Sequence, residues 1–233
     1  IAEEGGLNGA KGLDVSQLQA KMGFIFDGGG KVGDLTVQAP AQTSLKATFK
    51  GKAAHAGVEP EKGINALKAA AIAIAEMNLG RIDEETTANI GIISAGRATN
   101  IVPDEAVIKG EARSRNQEKL KKQVDHMVSA IHAACARTGA SVDLQLEDSY
   151  PAFRLTEADP VVQTFQAACR AIGLSANLVG SGGGSDANIL NGKGLPSVVL
   201  GMGYEAVHTT SEYMPIGELR RAAELALAII QAV

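Results

Sequence analysis

The sequence contains no tryptophan, and aromatic residues make up 3% of its 233 positions. So small a supply argues against stacking platforms for nucleic-acid bases or sugars. Charge of either sign is also nearly balanced: 22 Lys and Arg against 26 Asp and Glu leave −4. Such a chain has no electrostatic footprint for phosphate backbones or anionic membranes, so neither nucleic acid nor membrane is expected as a partner. Cysteine is limited to Cys135 and Cys169, both in Ala-rich helical patterns, which predicts buried reduced thiols and no disulfide framework. No apolar run reaches membrane-spanning length, and the opening "IAEEGGLNGAKGLD" lacks the basic-then-apolar pattern of a secretory leader. These absences point to the cytoplasm.

What is present is a chain with 45% hydrophobic and 21% charged residues, enough to bury a sizeable core. Residues 7–21 suggest a short helix with Asp14 as N-cap, and "MGFIFD" (22–27) a short strand closed by three glycines. From 43 onward the periodicity changes. "TSLKATFKGK" alternates as a half-buried strand, "GINALKAAAIAIAEMN" is helical, and "TANIGIISAG" and "EAVIKGEARS" are strands. A long amphipathic helix then runs from Asn116, its N-cap, to Gly139, its stop, and "SVDLQLEDSY" is a last strand. The order β-α-β-β-α-β over about 43–150 is the ferredoxin-like plan, four antiparallel strands with two helices on one face. A helix capped by Asp159, the buried strand "PSVVLGM" and a C-terminal helix follow. The fold class expected is therefore α/β: one domain made of 1–37 and 151–233, with 38–150 inserted as a separate module.

Several residues could carry chemistry. Glu3 and Glu4 are adjacent carboxylates, suited to bind a cation and take up a proton, or simply a solvated acidic pair. Asp27 closes a strand at the end where α/β sheets place ligands, although Asp-Gly is also a common turn. His55 lies in the loop "GKAAHAGVEPEKG" and could donate to a carbonyl or oxyanion. Asn100 and Arg113, in "GRATNIVPDEAVIKGEARS", read as an amide and a guanidinium near each other that would suit a carboxylate or peptide carbonyl. "GSGGGSDANIL" places Gly184 and Ser185 at a helix start, but lacks the Lys-Ser/Thr of a phosphate loop. His208 follows a core strand in "GMGYEAVHTTSEYMP", a rigid position suited to a metal ligand. His126 and His132 read as helix-surface residues.

Seven stretches, "EEGGLNGAKGLD", "FDGGG", "HAGVEPEKGINA", "ATNIVPDEA", "GEARS", "GGGSDANIL" and "YEAVHTTSEYMP", together resemble the two-zinc exopeptidase and amidohydrolase family of peptidase T, carboxypeptidase G and aminoacylase, above all its peptidase T-like tripeptidases. They span almost the whole chain in family order. The resemblance implies a zinc-exopeptidase-like catalytic domain interrupted by a ferredoxin-like lid and dimerisation domain, and a homodimer acting on short peptides. It implies Glu3 as general base, Glu4 and His208 as ligands of one zinc, and Asp27 as ligand of the other. It further implies that His55, Asn100 and Arg113 hold the substrate, His55 often across a dimer, with Gly184 and Ser185 shaping the pocket. The family's His-x-Asp motif and bridging Asp lie upstream of the Glu-Glu pair and have no counterpart here. The chain is thus expected to be a C-terminal piece that binds zinc weakly and hydrolyses peptides poorly by itself. Deacylase or carboxypeptidase-type chemistry, and a non-catalytic dimerisation role, are the alternatives.

Overall fold

The computed structural model describes residue 3 and residues 5–233, which form two compact units. One comprises Ile1–Pro40 with Tyr150–Val233, the other Ala41–Ser149.

The first unit opens with α1 (Asn8–Gly12) and a single 3-10 turn at Val15–Gln17, then β1 (Gly23–Gly28) and β2 (Asp34–Ala39). It resumes with β8 (Phe153–Arg154), α4 (Pro160–Ala171), β9 (Asn177–Gly180), α5 (Asp186–Gly192), β10 (Ser197–Gly201) and α6 (Ile216–Ala232). The sheet runs β1-β10-β2-β8, with β9 also on β2; β1 is parallel to β10, whereas β10 and β2 are antiparallel. β10 is buried throughout, so its residues alternate between two covered faces. Val198 and Leu200 join Val162, Phe165, Leu225 and Ile229 of α4 and α6, while Val199 meets Ala187 of α5 and Phe153. Cys169 lies in the first cluster, and burial pushes its thiol up to about 11. Cys135 is also free and buried, with its thiol raised for the same reason, as the Ala-rich patterns predict.

The second unit has β3 (Ala41–Lys50), α2 (Ala66–Glu76), β4 (Gly80–Arg81), β5 (Thr86–Ala95), β6 (Glu105–Ser114), α3 (Gln117–Thr138) and β7 (Ser141–Tyr150). Its sheet order, β4-β5-β6-β3-β7, puts the last long strand beside the first, as the ferredoxin-like plan requires. Ala66, Ala69, Ala70 and Ala73, all fully buried, form a helical stripe that lets α2 lie close on β3 and β6. α3 buries Leu120, Met127, Ile131 and Ala134 at the same period. Its start is held by the Asn116 side chain, which accepts from the Glu118 and Lys119 amides at 2.9 and 3.1 Å, and its end by Gly139 at φ 76°. Asn116→Ala is expected to lower unit stability by about 1 kcal/mol, read as a shifted denaturant midpoint with unchanged slope.

Two expectations need correction. The helix over 7–21 is broken: α1 stops at Gly12, and the Asp14 carboxylate turns back onto the Ser16 amide at 3.0 Å to cap only the 3-10 turn. Asp159 stands at the N-cap of α4 without capping it, because its carboxylate accepts instead from the Thr156 amide and hydroxyl at 2.6 and 2.9 Å. β2, for which the sequence predicted no element, has six residues between Gly33 and Pro40, too few to show a period clearly.

Candidate functional site

In the first unit the carboxyl ends of the parallel strands β1 and β10 lie side by side, with Gly28 opposite Gly201. A side chain at Gly28 would run into the Leu200 carbonyl, 2.6 Å from an added Cβ, so the close approach requires glycine. Asp27 is exposed at this end. The loop after β10 is tied over it: the Met202 amide donates to the Gly28 carbonyl at 2.9 Å, and the Tyr204 hydroxyl to the Asp27 carbonyl at 2.6 Å.

His208 stands on that loop. Glu205 and Tyr213 close it as a two-stranded bridge, with the Tyr213 hydroxyl donating to the Glu205 carboxylate at 2.7 Å. Inside, Ala206 and His208 adopt left-handed backbone at φ 55° and 60°. Each such non-glycine position costs on the order of 1 kcal/mol, and such strain persists where surrounding bonds over-determine it. Here the Glu212 carboxylate accepts the His208 amide at 2.8 Å, and the Thr209 hydroxyl donates to the Ala206 carbonyl at 2.6 Å. The loop thereby presents an exposed imidazole from a braced backbone.

Glu3 lies at a half-buried bend, and its carbonyl accepts from the Gly6 and Leu7 amides at 3.0 and 2.8 Å. Glu4 falls outside the described residues. Tyr204 reports how these pieces gather. Its phenol is pushed above the ordinary tyrosine value first by burial and then by the charges of Asp27, Glu212 and Glu3. It therefore stays protonated and remains a donor at neutral pH. Neither Tyr204 nor Glu212 stood out in the sequence as more than loop neighbours of His208.

Ser185 caps α5: its hydroxyl accepts from the Ala187 amide at 3.3 Å, while the Asn188 side chain accepts the Ser185 amide at 2.9 Å. Asn188 also donates to the Pro40 and Pro151 carbonyls, so this turn is anchored to the chain at both of its crossings. Gly184 packs against the Tyr150 ring, which would occupy the space of any side chain there.

In the second unit, His55 pairs with Ile101 in an isolated antiparallel bridge, and the Ala56 amide donates to the Asn100 carbonyl at 2.9 Å. His55 and Asn100 are thus neighbours. The His55 Nδ1 accepts from the Gly57 amide at 3.1 Å, which assigns the proton of the neutral ring to Nε2. Arg113 is elsewhere. It pairs with Gln42 and Thr87 at one end of β6, whereas Gly51 and Asp104 meet beyond the other. The eight steps from Glu105 to Arg113 span about 26 Å. The sequence had suggested an amide and guanidinium near each other; a full-length extended strand separates them. Arg113 forks onto Glu111 at 2.7 and 3.0 Å, and Gln42 donates to the same carboxylate at 2.8 Å.

Among the described residues no group of three or more His, Cys, Asp or Glu side chains could hold a metal ion, and no helix is long and apolar enough to cross a membrane.

A family model described as a peptidase dimerisation domain, of the M20 type, matches residues 41–139. The chain superposes on the crystal structure of aminopeptidase PepT from Bacillus cereus ATCC 10987 with a TM-score of 0.90 and 47% identity, over 100% of this chain and 62% of that one. The chain is similar to peptidases of the M20 type. A tripeptidase from Staphylococcus aureus subsp. aureus Mu50 gives a TM-score of 0.94 at 45% identity, covering 99% of this chain and 62% of the other. Uncharacterized protein YqjE of Bacillus subtilis (strain 168) is 49% identical over 99% of this chain and 62% of its own length. The chain thus spans about three-fifths of the length of these relatives.

Proposed function

We propose that this chain carries much of the working machinery of a zinc-dependent exopeptidase that removes residues from short peptides, in the manner of a tripeptide aminopeptidase. The observation that carries the reading is the Tyr204 phenol, bonded to the Asp27 strand and lying in the field of Asp27, Glu212 and Glu3. It gathers the His208 loop, the end of β1 and the Glu3 bend at one edge of one sheet. Likeness to an aminopeptidase and a tripeptidase at 47% and 45% identity supports the same class.

The donors present suit zinc in kind, being carboxylates and an imidazole. Asp27, His208 and Glu4 would hold it, as part of a set that a catalytic zinc normally completes with three protein ligands per ion. When bound, zinc lowers the pKa of water and polarises the scissile carbonyl. Glu3 takes a proton from the water whose oxygen attacks the carbonyl carbon, and returns it to the nitrogen as the C–N bond breaks. Tyr204 keeps the His208 loop and the Asp27 strand in register. The His55 Nε2–H donates to the oxygen that gains charge, and the Asn100 amide helps hold the peptide backbone. Gly184 and Ser185 shape the pocket, and Arg113 takes a carbonyl or carboxylate of the substrate.

An extended tripeptide reaches only about 10 Å, far short of the distance along β6 between Arg113 and the His55–Asn100 pair. One copy cannot place both on one substrate, so the dimerisation domain acts in a homodimer in which His55 and Asn100 serve the partner's substrate. The cytoplasm, where short peptides accumulate, is the setting that fits.

The test is hydrolysis by the whole gene product, zinc-loaded or stripped with a chelator, of a tripeptide, its N-acetylated form and an N-acetyl amino acid. Release of the N-terminal residue from the free tripeptide, lost on chelation and restored by zinc, is the expected result. Hydrolysis of the acyl amino acid alone, or activity indifferent to chelation, would overturn it.

A further inference from the structure

Lys193 stands just past the end of α5, facing the end of α1. Its ammonium donates to three backbone carbonyls, Ala10 at 2.9 Å, Lys11 at 2.6 Å and Leu13 at 2.6 Å. An ammonium has three donors, and all three are spent here. The acceptors lie in and just past the last turn of α1, where a cation meets the negative end of the helix dipole, and the Ala10 carbonyl also receives the Leu13 amide at 3.2 Å. α1 is too short to persist alone: five residues fall well below the length at which an isolated helix is even marginal in water. Its other anchor is small, Leu7 and Ala10 against Ile189 of α5 with Tyr150 packed alongside.

Both ends of this connection lead to groups that matter. α1 follows directly on the Glu3 bend, since the Glu3 carbonyl accepts the Leu7 amide and the Leu7 carbonyl accepts the Lys11 amide. α5 in turn is fastened to the sheet. The Asn191 side chain donates to the Ser197 carbonyl at 2.7 Å and accepts the Ser197 amide at 3.2 Å, and Ser197 is paired with Gly23 of β1. From Ser197, β10 and β1 run in parallel to the end that carries Asp27. A continuous chain of hydrogen bonds therefore runs from Glu3 through α1, Lys193, α5 and β10 to the Asp27 strand.

We propose that Lys193 is a positioning residue: it sets the Glu3-bearing segment in register with the strand that carries Asp27. The proposal rests on the reading of Glu3 as the general base, but its structural half does not depend on catalysis. Lys193 touches no reacting atom. It acts by fixing the C-terminus of α1, so that the residues before α1 enter the site from one direction.

The experiment compares Lys193→Met, Lys193→Arg and Glu3→Gln in the whole gene product, by amide hydrogen exchange of residues 7–13 and by kcat and KM for a tripeptide. Lys193→Met keeps the length and removes the charge. It is expected to speed exchange of the Leu7, Lys11 and Leu13 amides roughly tenfold or more, while protection in α4 and β10 stays at the parent level. With it kcat should fall roughly 100-fold, the cost of a displaced catalytic group, and KM should hold within about twofold. Lys193→Arg, which can still donate to several carbonyls, should recover most of both effects. Parent-like exchange at residues 7–13 in Lys193→Met would overturn the proposal, and so would a loss of protection spread evenly through α4 and β10. Parent-like activity in Glu3→Gln would instead sink the general-base reading while leaving the exchange result standing.

Discussion

Glu3→Gln in the whole gene product is expected to lower kcat for a tripeptide about 1,000-fold, with KM and zinc content unchanged. The size follows from the kind of change. Glutamine has the volume and the acceptor oxygen of glutamate but cannot take up a proton, so water loses its base and the leaving nitrogen its acid. The swap keeps the Glu3 carbonyl, which receives the Gly6 and Leu7 amides. A pure loss of kcat is the signature of an interaction made only in the transition state. Glu3→Asp retains the function but withdraws the carboxylate by one methylene, and should fall between the two. Steady-state kinetics with metal analysis on the same samples provide the check. A Gln variant that kept more than about a tenth of parental kcat would remove Glu3 from the mechanism, since general bases contribute at least about 100-fold.

Two inactive variants should restore activity to each other. His55→Ala and Arg113→Ala are each expected to lose roughly 100-fold or more in kcat/KM, the first by removing a donor to the developing oxyanion and the second by removing a bidentate fork from the substrate. In the proposed homodimer the two side chains would reach a given substrate from different copies, because one tripeptide cannot bridge the length of β6. In a hybrid of the two variants, one of the two sites then has both residues intact and the other has neither. Random reassortment makes half of the dimers hybrid, so an equimolar mixture should return to about a quarter of parental activity in a two-fold symmetric dimer. The control is His55→Ala with Asn100→Ala. These residues share one loop cluster, through the His55–Ile101 bridge and the bond from the Ala56 amide to the Asn100 carbonyl, so their hybrid has no intact site and no activity should return. Hybrid dimers confirmed by native mass spectrometry but inactive for His55→Ala with Arg113→Ala would show that the site is not shared. Arg113→Ala also strips Glu111 of its ion-pair partner and leaves it only the Gln42 amide. Pairing the substitution with Glu111→Gln separates that local effect from loss of substrate contact.

Much of the chain could be read without coordinates where local physics decides. Asn116 and Gly139 bracket α3 in the sequence and in the structure, because a side-chain cap and a left-handed stop act within one turn. The alternation of Ala41–Lys50 and the stripe of alanines in α2 assign each residue to a face before any partner is known. The β-α-β-β-α-β order followed, and with it the mixed α/β class. Local reasoning failed where another local bond competed. Asp14 and Asp159 have the right residue type and position for helix caps, yet one shortens its helix to a 3-10 turn and the other serves Thr156. Short strands such as β2 and β9 form only because β10 and β2 present open edges to them.

The site divides along the same line. Sequence alone determined which residues have the chemistry: a carboxylate at the end of β1, a histidine after the strand β10, an Asn and a His in neighbouring loops. It could not determine which of them meet, because residues far apart in the chain are joined only by strand register and side-chain reach. The parallel pairing of β1 with β10 brings Asp27 beneath the His208 loop, and the Tyr204 hydroxyl closes that contact. The antiparallel register of β3 with β6 does the opposite for Asn100 and Arg113, holding the stretch from Glu105 to Arg113 extended between them. Lys193 belongs wholly to the tertiary structure. In the sequence it is one lysine in a Gly-rich turn, and only folding brings three backbone carbonyls within reach of its ammonium.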